Sequence, residues 1–160
     1  MTWRGSSTPL DRVYASLPYL LPLLDGIPFG QVLFAQFPVL NALLLPITPL
    51  LAIYHGFPFA SLIIFFAVFL LVVRNDNIPY FIRFNAMQAI LLSIILALCG
   101  IVLNLALAPI LGGGLLMQTL YNVIFLGTIA AVVYSIAQTA MGRFAEIPTL
   151  SDAVYMQLPR

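Results

Sequence analysis

The side chains that could do chemistry in this chain are few, and their spacing forms no catalytic set. Cys99 is the single cysteine, which excludes an intrachain disulfide and a cysteine-based metal site. His55 is the single histidine and stands beside Gly56 at the end of an apolar run, where we expect a solvated imidazole at the membrane interface. We therefore predict no enzyme activity, no metal and no cofactor.

The five acidic residues all lie near the ends of apolar runs: Asp11, Asp25, Asp76, Glu146 and Asp152. We expect none of them at the bilayer centre, where ionisable groups mark proton relays and ion-coupled transporters. Asp25 is interpreted as the cap of a helix break on the far side of the membrane. Gly112–Gly114 lacks the strand and lysine of a phosphate loop and is predicted to be a turn. Ion-coupled transport, intramembrane proteolysis and redox chemistry are thus disfavoured.

The composition places the chain in a lipid bilayer. It is 62% hydrophobic and 7% charged, with a mean hydropathy of +1.09. A soluble domain of this length could not hide so much apolar surface, because small domains leave a large share of their surface in water. The net charge of +1 and the scattered basic residues give no nucleic-acid footprint.

The basic residues predict the topology. There is no lysine, and the six arginines fall outside the long apolar runs, at Arg4, Arg12, Arg74, Arg83, Arg143 and Arg160. Each long interval between them has room for a helical hairpin, since a helix needs ~20 apolar residues to cross a bilayer. Short loops rich in arginine stay on the cytoplasmic side. Both termini and the central loop are therefore predicted to be cytoplasmic or stromal.

Hydropathy predicts one all-α integral membrane domain of four transmembrane helices in two hairpins, with an extra interfacial or re-entrant region after the first span. The segments are a cytoplasmic lead (1–12), first span (13–25), far-side region (26–56), second span (57–73), cytoplasmic loop (74–84), third span (85–111), turn (112–114), fourth span (115–141) and cytoplasmic tail (142–160). The first span is predicted to end where Asp25-Gly26-Ile27-Pro28 interrupts the apolar run. In the alternative, residues 39–54 form the first span.

The last two spans carry stripes of small and polar residues at helical spacing. In the third span the stripe comprises Ala86, Ala89, Ser93, Ala97, Gly100, Asn104 and Ala108, and in the fourth it comprises Thr128, Ala131, Ser135, Gln138 and Thr139. Small residues let helix backbones approach closely in lipid. We predict that these two helices pack on each other across the glycine turn. A water-facing lining is the alternative.

Three further segments resemble a known family. They are Ser16–Gly26 (SLPYLLPLLDG), Arg83–Leu92 (RFNAMQAILL) and Ser151–Pro159 (SDAVYMQLP). From about residue 13 to 159 the chain is similar to the twenty-kilodalton subunit family of the translocon at the inner envelope membrane of chloroplasts (the TIC complex) and its cyanobacterial relatives.

This resemblance implies a four-helix membrane protein with both termini facing stroma or cytoplasm. It also implies a core part of a preprotein-conducting channel, with preprotein as cargo and other translocon subunits as partners. No transit peptide precedes the apolar region, so a cyanobacterial membrane or a plastid inner envelope (plastid-encoded member) is expected. Four spans with so little polar content can hardly enclose a polypeptide pore alone, so we expect a homo-oligomer or partners.

Two interpretations of Arg83, Asn85 and Gln88 are open. They could line a cytoplasmic mouth that receives a chain, or Arg83 could anchor at the headgroups while Asn85 and Gln88 bond to the central loop or the tail. The Ser151–Pro159 segment is expected to fold back against the same region. Besides a passive translocon component, the alternative function is a non-conducting scaffold or assembly factor for membrane complexes. A solute or ion channel is disfavoured because no ring of charge marks a filter.

Overall fold

The computed structural model describes residues 7–158, and the regular elements in that range are helices. In chain order they are α1 (Pro9–Gln36), α2 (Pro38–Gly56), α3 (Ala60–Val73), α4 (Tyr80–Leu111), α5 (Leu115–Ala140) and α6 (Leu150–Gln157). By length and composition α1, α2, α4 and α5 could each cross a membrane, whereas α3 is apolar but shorter. The predicted class, an all-helical membrane protein with four helices of spanning length, is confirmed.

Helix α1 begins at a capping box. The Thr8 hydroxyl accepts a hydrogen bond from the Asp11 amide at 3.2 Å, and the Asp11 carboxylate accepts one from the Thr8 amide at 2.9 Å. Pro9 follows at the first helical position, where its missing N–H costs no intrahelical bond. Asp11 therefore has a local structural role at the start of the first membrane helix.

The predicted interruption at Asp25–Pro28 is not a helix end, because α1 continues to Gln36. The chain accommodates its prolines by winding Leu17–Tyr19 and Ile27–Gly30 more tightly, as single 3₁₀ turns within the helix. The residues from Phe29 onward thus belong to the first helix and do not form a separate interfacial one. The helix ends at Gln36, because the next residue, Phe37, precedes Pro38 and has left the helical conformation.

The predicted second span, 57–73, corresponds to α3, and the predicted far-side region contains α2. A kink separates the two helices because Pro58 disfavours helical geometry at the residue before it, and Phe59 has a left-handed φ of 61°. Much of α2 is uncovered in the described chain: Val39, Leu43 and Leu45 are each at least 70% exposed. That surface is apolar, so it lies against lipid or a partner.

The arrangement of the long helices differs from the prediction that the third and fourth spans form a pair. Helix α1 packs along both α4 and α5, while α4 and α5 meet directly in few places. The reason is the glycines of α1: a Cβ built on Gly26 would lie 2.6 Å from Thr128 Cγ2, and one on Gly30 would lie 2.7 Å from the Phe125 ring. These two positions bring α1 so close to α5 that it fills the space between the other two helices.

The four arginines of residues 7–158 lie at one end of the bundle, called here the arginine end. The Arg12 guanidinium donates to the Ala140 carbonyl at 3.4 Å, three residues before Arg143. Arg83 Nε donates to the Val73 carbonyl at 2.9 Å, next to Arg74. Phe144 joins the two groups by packing on Phe81 and Phe84, with ring centroids 5.3 and 5.0 Å apart. Arg4 and Arg160 lie outside the described residues.

Candidate functional site

The sequence-predicted mouth residues lie in the first turns of α4, at the arginine end. Asn85 and Gln88 are completely buried, and Arg83 is partly buried. Buried amide side chains need hydrogen-bond partners, because an unsatisfied polar group in the interior costs free energy. In this conformation neither amide faces an opening, and both form hydrogen bonds inside the protein.

A buried hydrogen-bond network joins α1, α4 and α5. The Tyr19 hydroxyl donates to Asn85 Oδ1 at 2.8 Å, and Gln88 Nε2 donates to the Tyr19 oxygen at 2.9 Å. Thr139 Oγ1 lies 3.2 Å from Asn85 Oδ1 and 2.6 Å from the Ser135 carbonyl oxygen. Since the surrounding medium has a low dielectric constant, these bonds fix the three helices in one register. Tyr19 and these groups are the polar core of the arginine end.

Gln88 extends this network to the segment after α5. Its Nε2 also donates to the Ala145 carbonyl, and its Oε1 accepts from the Ile147 amide at 3.5 Å. Ala145 is fully buried. One side chain of α4 therefore holds the irregular backbone between α5 and α6 against the helix bundle.

Arg83 binds the opposite loop, between α3 and α4. Besides its bond to the Val73 carbonyl, its Nη1 lies 3.0 Å from Asp76 Oδ1. The Asp76 side chain is 91% exposed, so this ion pair contributes little to stability. Arg83 thus ties the end of α3 to the start of α4. Gln88 bonds the tail, as the structural interpretation expected. Asn85 differs from it, because its side chain bonds Tyr19, Thr139 and the Phe81 carbonyl and not the loop or the tail.

The short C-terminal helix α6 covers this region, as predicted for the segment that begins at Ser151; the last residue of that segment, Pro159, lies outside the described residues. Val154 and Leu158 pack in one cluster with Val73, Phe84 and Met87. The Tyr80 hydroxyl donates to the Leu158 carbonyl at 2.8 Å. The α6 helix therefore lies directly over the start of α4 and the end of α3.

The seam residues are covered unevenly. Ala86, Ala89 and Ser93 are buried, and Ala89 packs with Tyr19 of α1 and Val132 of α5. Further along α4, Gly100 and Ala108 are half-buried, and Ala97 and Asn104 are exposed. On α5, the buried positions are Thr128, Ser135 and Thr139, and the half-buried ones are Ala131 and Gln138.

The sequence prediction overlooked the α1 side of this packing. Gly26 and Gly30 are four residues apart, the spacing of small residues at close helix contacts in membranes. Because a helix break was predicted at Asp25–Pro28, the two glycines were not recognised as belonging to one helix face. Tyr19 was also missed, because no local pattern links it to Asn85, 66 positions away.

Asp25 is not at a helix end, contrary to the prediction for the acidic residues. It lies about three turns or more from either end of α1, beside Gly26 at the contact with Thr128 in the middle of α5. The Tyr54 hydroxyl of α2 donates to Asp25 Oδ1 at 2.7 Å, and His55 Nε2 lies 3.0 Å from the Leu24 carbonyl oxygen. The bundle therefore holds a carboxyl group midway along its central helix.

These features define a multi-pass helical membrane protein with a closed polar core and no catalytic grouping among residues 7–158. The sequence profile described as "Chloroplast import apparatus Tic20-like" matches residues 9–154. The chain belongs to the Tic20 family.

Individual relatives come from cyanobacteria, plants and red algae. A "Tic20 family protein" of Synechocystis sp. is 53% identical over 92% of both chains. "Protein TIC 20-II, chloroplastic" of Arabidopsis thaliana is 37% identical over 99% of this chain and 78% of its own length. "Tic20 family protein Ycf60" of Gracilaria tenuistipitata var. liui is 37% identical over 94% of this chain and 76% of its own.

Proposed function

We propose that this protein is a passive membrane component of a protein translocation machinery, and that it forms a preprotein-conducting channel only as an oligomer or with partner subunits. Membership of a family described as chloroplast import apparatus supports the translocation role. The same likeness supports a cyanobacterial membrane or a plastid inner envelope as its location. The clustering of arginines supports an orientation with the arginine end, and both termini, on the cytoplasmic or stromal side.

The need for partners rests on one observation: the polar side chains that could line a conduit are hydrogen-bonded inside the protein. Asn85, Gln88 and Thr139 are fully buried. Asn85 bonds both Thr139 and Tyr19, Gln88 bonds Tyr19, and the Gln88 and Thr139 side chains also bond backbone carbonyls. A polypeptide conduit needs a wet polar lining, and these groups cannot line one while they bind each other. The exposed surface of α2 is apolar instead. A conduit would thus form between chains, or at an interface with another subunit.

The proposal is tested with a photoreactive amino acid placed singly at two exposed positions, Gln157 on α6 and Ile110 near the opposite end of α4. Membranes containing the full chain are supplied with a precursor that stalls during translocation. We expect crosslinks from both positions to the stalled precursor. Because the arginine end is proposed to face the cytoplasm or stroma, position 110 should crosslink first if the precursor is imported, and position 157 first if it is exported. A precursor released before the membrane gives the background.

The alternative, a non-conducting scaffold for membrane complexes, predicts a different outcome. In that case neither position crosslinks to the precursor, and mild-detergent purification yields stable resident complexes. Conductance from a verified single chain in a planar bilayer would contradict the requirement for partners.

A further inference from the structure

Asp25 is a carboxyl group at the depth of the hydrocarbon core. It lies beside Gly26, which contacts Thr128 halfway along α5, and it faces Ser93 in the middle part of α4. Ionisable groups at this depth are costly and usually belong to a binding site or a transport pathway. The proposed passive role gives Asp25 no task.

Among the described residues no ion pair to this carboxyl group is present, and His55 is the ring that lies close enough to interact with it. Among residues 7–158 the ion pair present is that of Arg83 with Asp76, at the arginine end. The Tyr54 hydroxyl donates to one carboxylate oxygen, and His55 Nε2 lies within hydrogen-bond distance of the Leu24 carbonyl oxygen. Ser93 Oγ is 95% or more buried and faces the carboxyl, but it makes no hydrogen bond of ordinary geometry. The site therefore has spare acceptor capacity and an acidic group without an ion-pair partner.

A cavity of about 500 Å³ opens beside these groups, between α1, α2, α3 and α4. Its polar lining comes from Asp25, Tyr54, Ser61, Ser93 and Asn104, and the rest of the wall is apolar, with the rings of Phe29 and Phe65. Leu62 and Leu98 of the rim are at least 50% exposed, so the cavity opens sideways, where lipid surrounds the bundle. Its volume suits a small organic ligand.

We propose that this cavity binds lipophilic organic cations, with the Asp25 carboxylate as the counter-ion. The charge of the site selects a cation, since Asp25 is its charged group and the hydroxyls of Tyr54 and Ser93 present acceptor oxygens. The apolar wall selects an organic body over a metal ion, which would require a shell of oxygen ligands. The aromatic faces of Phe29 and Phe65 add a favourable cation–π surface.

A second copy of the chain is a poor occupant, because the described arginines all lie at the arginine end, away from Asp25. The ligand would instead partition into the hydrocarbon region and enter between α3 and α4. This binding is independent of translocation, so the proposed function can fail while this proposal holds.

The test is equilibrium binding of tetraphenylphosphonium to the full-length protein in lipid nanodiscs, with empty nanodiscs as the background. We expect saturable binding that Asp25→Asn weakens at least about tenfold. Asp152→Asn, which removes an exposed acid on α6, is expected to bind as the unmodified protein does. Neutral triphenylphosphine oxide should not compete.

A second variant tests the site independently, in case Asp25→Asn does not fold. Ala97 lines the same cavity and is exposed, so Ala97→Phe fills the space and leaves the carboxyl in place. It should also abolish binding. The proposal is overturned if binding is not saturable, if Ala97→Phe binds normally, or if a folded Asp25→Asn retains the original affinity.

Discussion

Gln88 of α4 and Tyr19 of α1 are joined by a hydrogen bond of 2.9 Å in the closed core of the bundle. The same Gln88 amide binds Ala145 and Ile147 of the tail. One side chain therefore links the first helix directly to the C-terminal segment. Any opening of the arginine end must break these bonds, because Gln88 has no exposed surface of its own.

Replacing Gln88 by alanine is expected to destabilise the protein by about 1–3 kcal/mol, the cost of leaving buried donors and acceptors unpaired. The tail should loosen as well, so trypsin should cleave faster after Arg143, an exposed residue of that segment. Thermal unfolding in detergent and the cleavage rate are the two measurements. Gln118→Ala is the matched control, since Gln118 bonds only the Gly113 carbonyl at the far end. Equal cleavage rates in the two variants would show that Gln88 does not hold the tail.

The close contact of α1 with α5 predicts an asymmetric response of two helical glycines. Gly26→Ala should cost about 1–3 kcal/mol, because its Cβ would meet Thr128 Cγ2 at 2.6 Å. Gly127→Ala, on α5 with open space around it, should be neutral or stabilising by about 0.5–1 kcal/mol. Thermal unfolding in one detergent compares them.

A rescue variant separates the steric cause from other effects. Thr128→Ser removes the methyl group that the new Cβ would strike, so the double variant should regain most of the loss. If Gly26→Ala and Gly127→Ala unfold at the same temperature, α1 does not pack on α5 as described.

The clustering of the arginines at one end predicts the accessibility of single cysteines. With Cys99 replaced, cysteines at Asn77 and Gln157 should react with an impermeant reagent from one side of the membrane, and a cysteine at Gly113 from the other. All three residues are exposed. The readout is labelling in sealed vesicles, with detergent-opened vesicles as the control for total reactivity. Labelling of positions 77 and 157 from opposite sides would contradict an even number of crossings between them.

Hydropathy and the arginines were enough to predict the helical membrane class. A segment that crosses lipid must be an apolar helix, and basic residues are confined to the loops between such helices. The partner of the seam was predicted wrongly for a physical reason. Small residues on α4 show that some helix approaches closely, but they carry no information about which one. That information lay in Gly26 and Gly30, next to Pro28, and local rules interpret such a cluster as a break.

The depth of Asp25 was missed through the same error, since a carboxyl group next to a predicted break is expected at an interface. Its contact with Tyr54 joins residues 29 positions apart, and no periodic pattern encodes such a pair. The docking of α6 was predictable as a mildly apolar segment that returns to the bundle. The link that Gln88 makes between this tail and the first helix was not predictable, because it depends on how three helices cross.

A carboxyl group in the middle of α1 bears on whether the protein can use an ion gradient. Coupling needs a titratable group near the midplane that is reached alternately from both sides. Asp25 meets the first condition, but Tyr19, Asn85 and Gln88 close the arginine end through buried hydrogen bonds.

We therefore expect proteoliposomes with only this protein to show no accumulation of a solute or a folded reporter when a pH gradient is imposed. Polypeptide movement would then be powered by a motor or by the membrane potential acting on the cargo. Accumulation that follows the gradient, stops with an uncoupler and is lost in Asp25→Asn would replace the passive conduit by a coupled transporter with Asp25 as its coupling group.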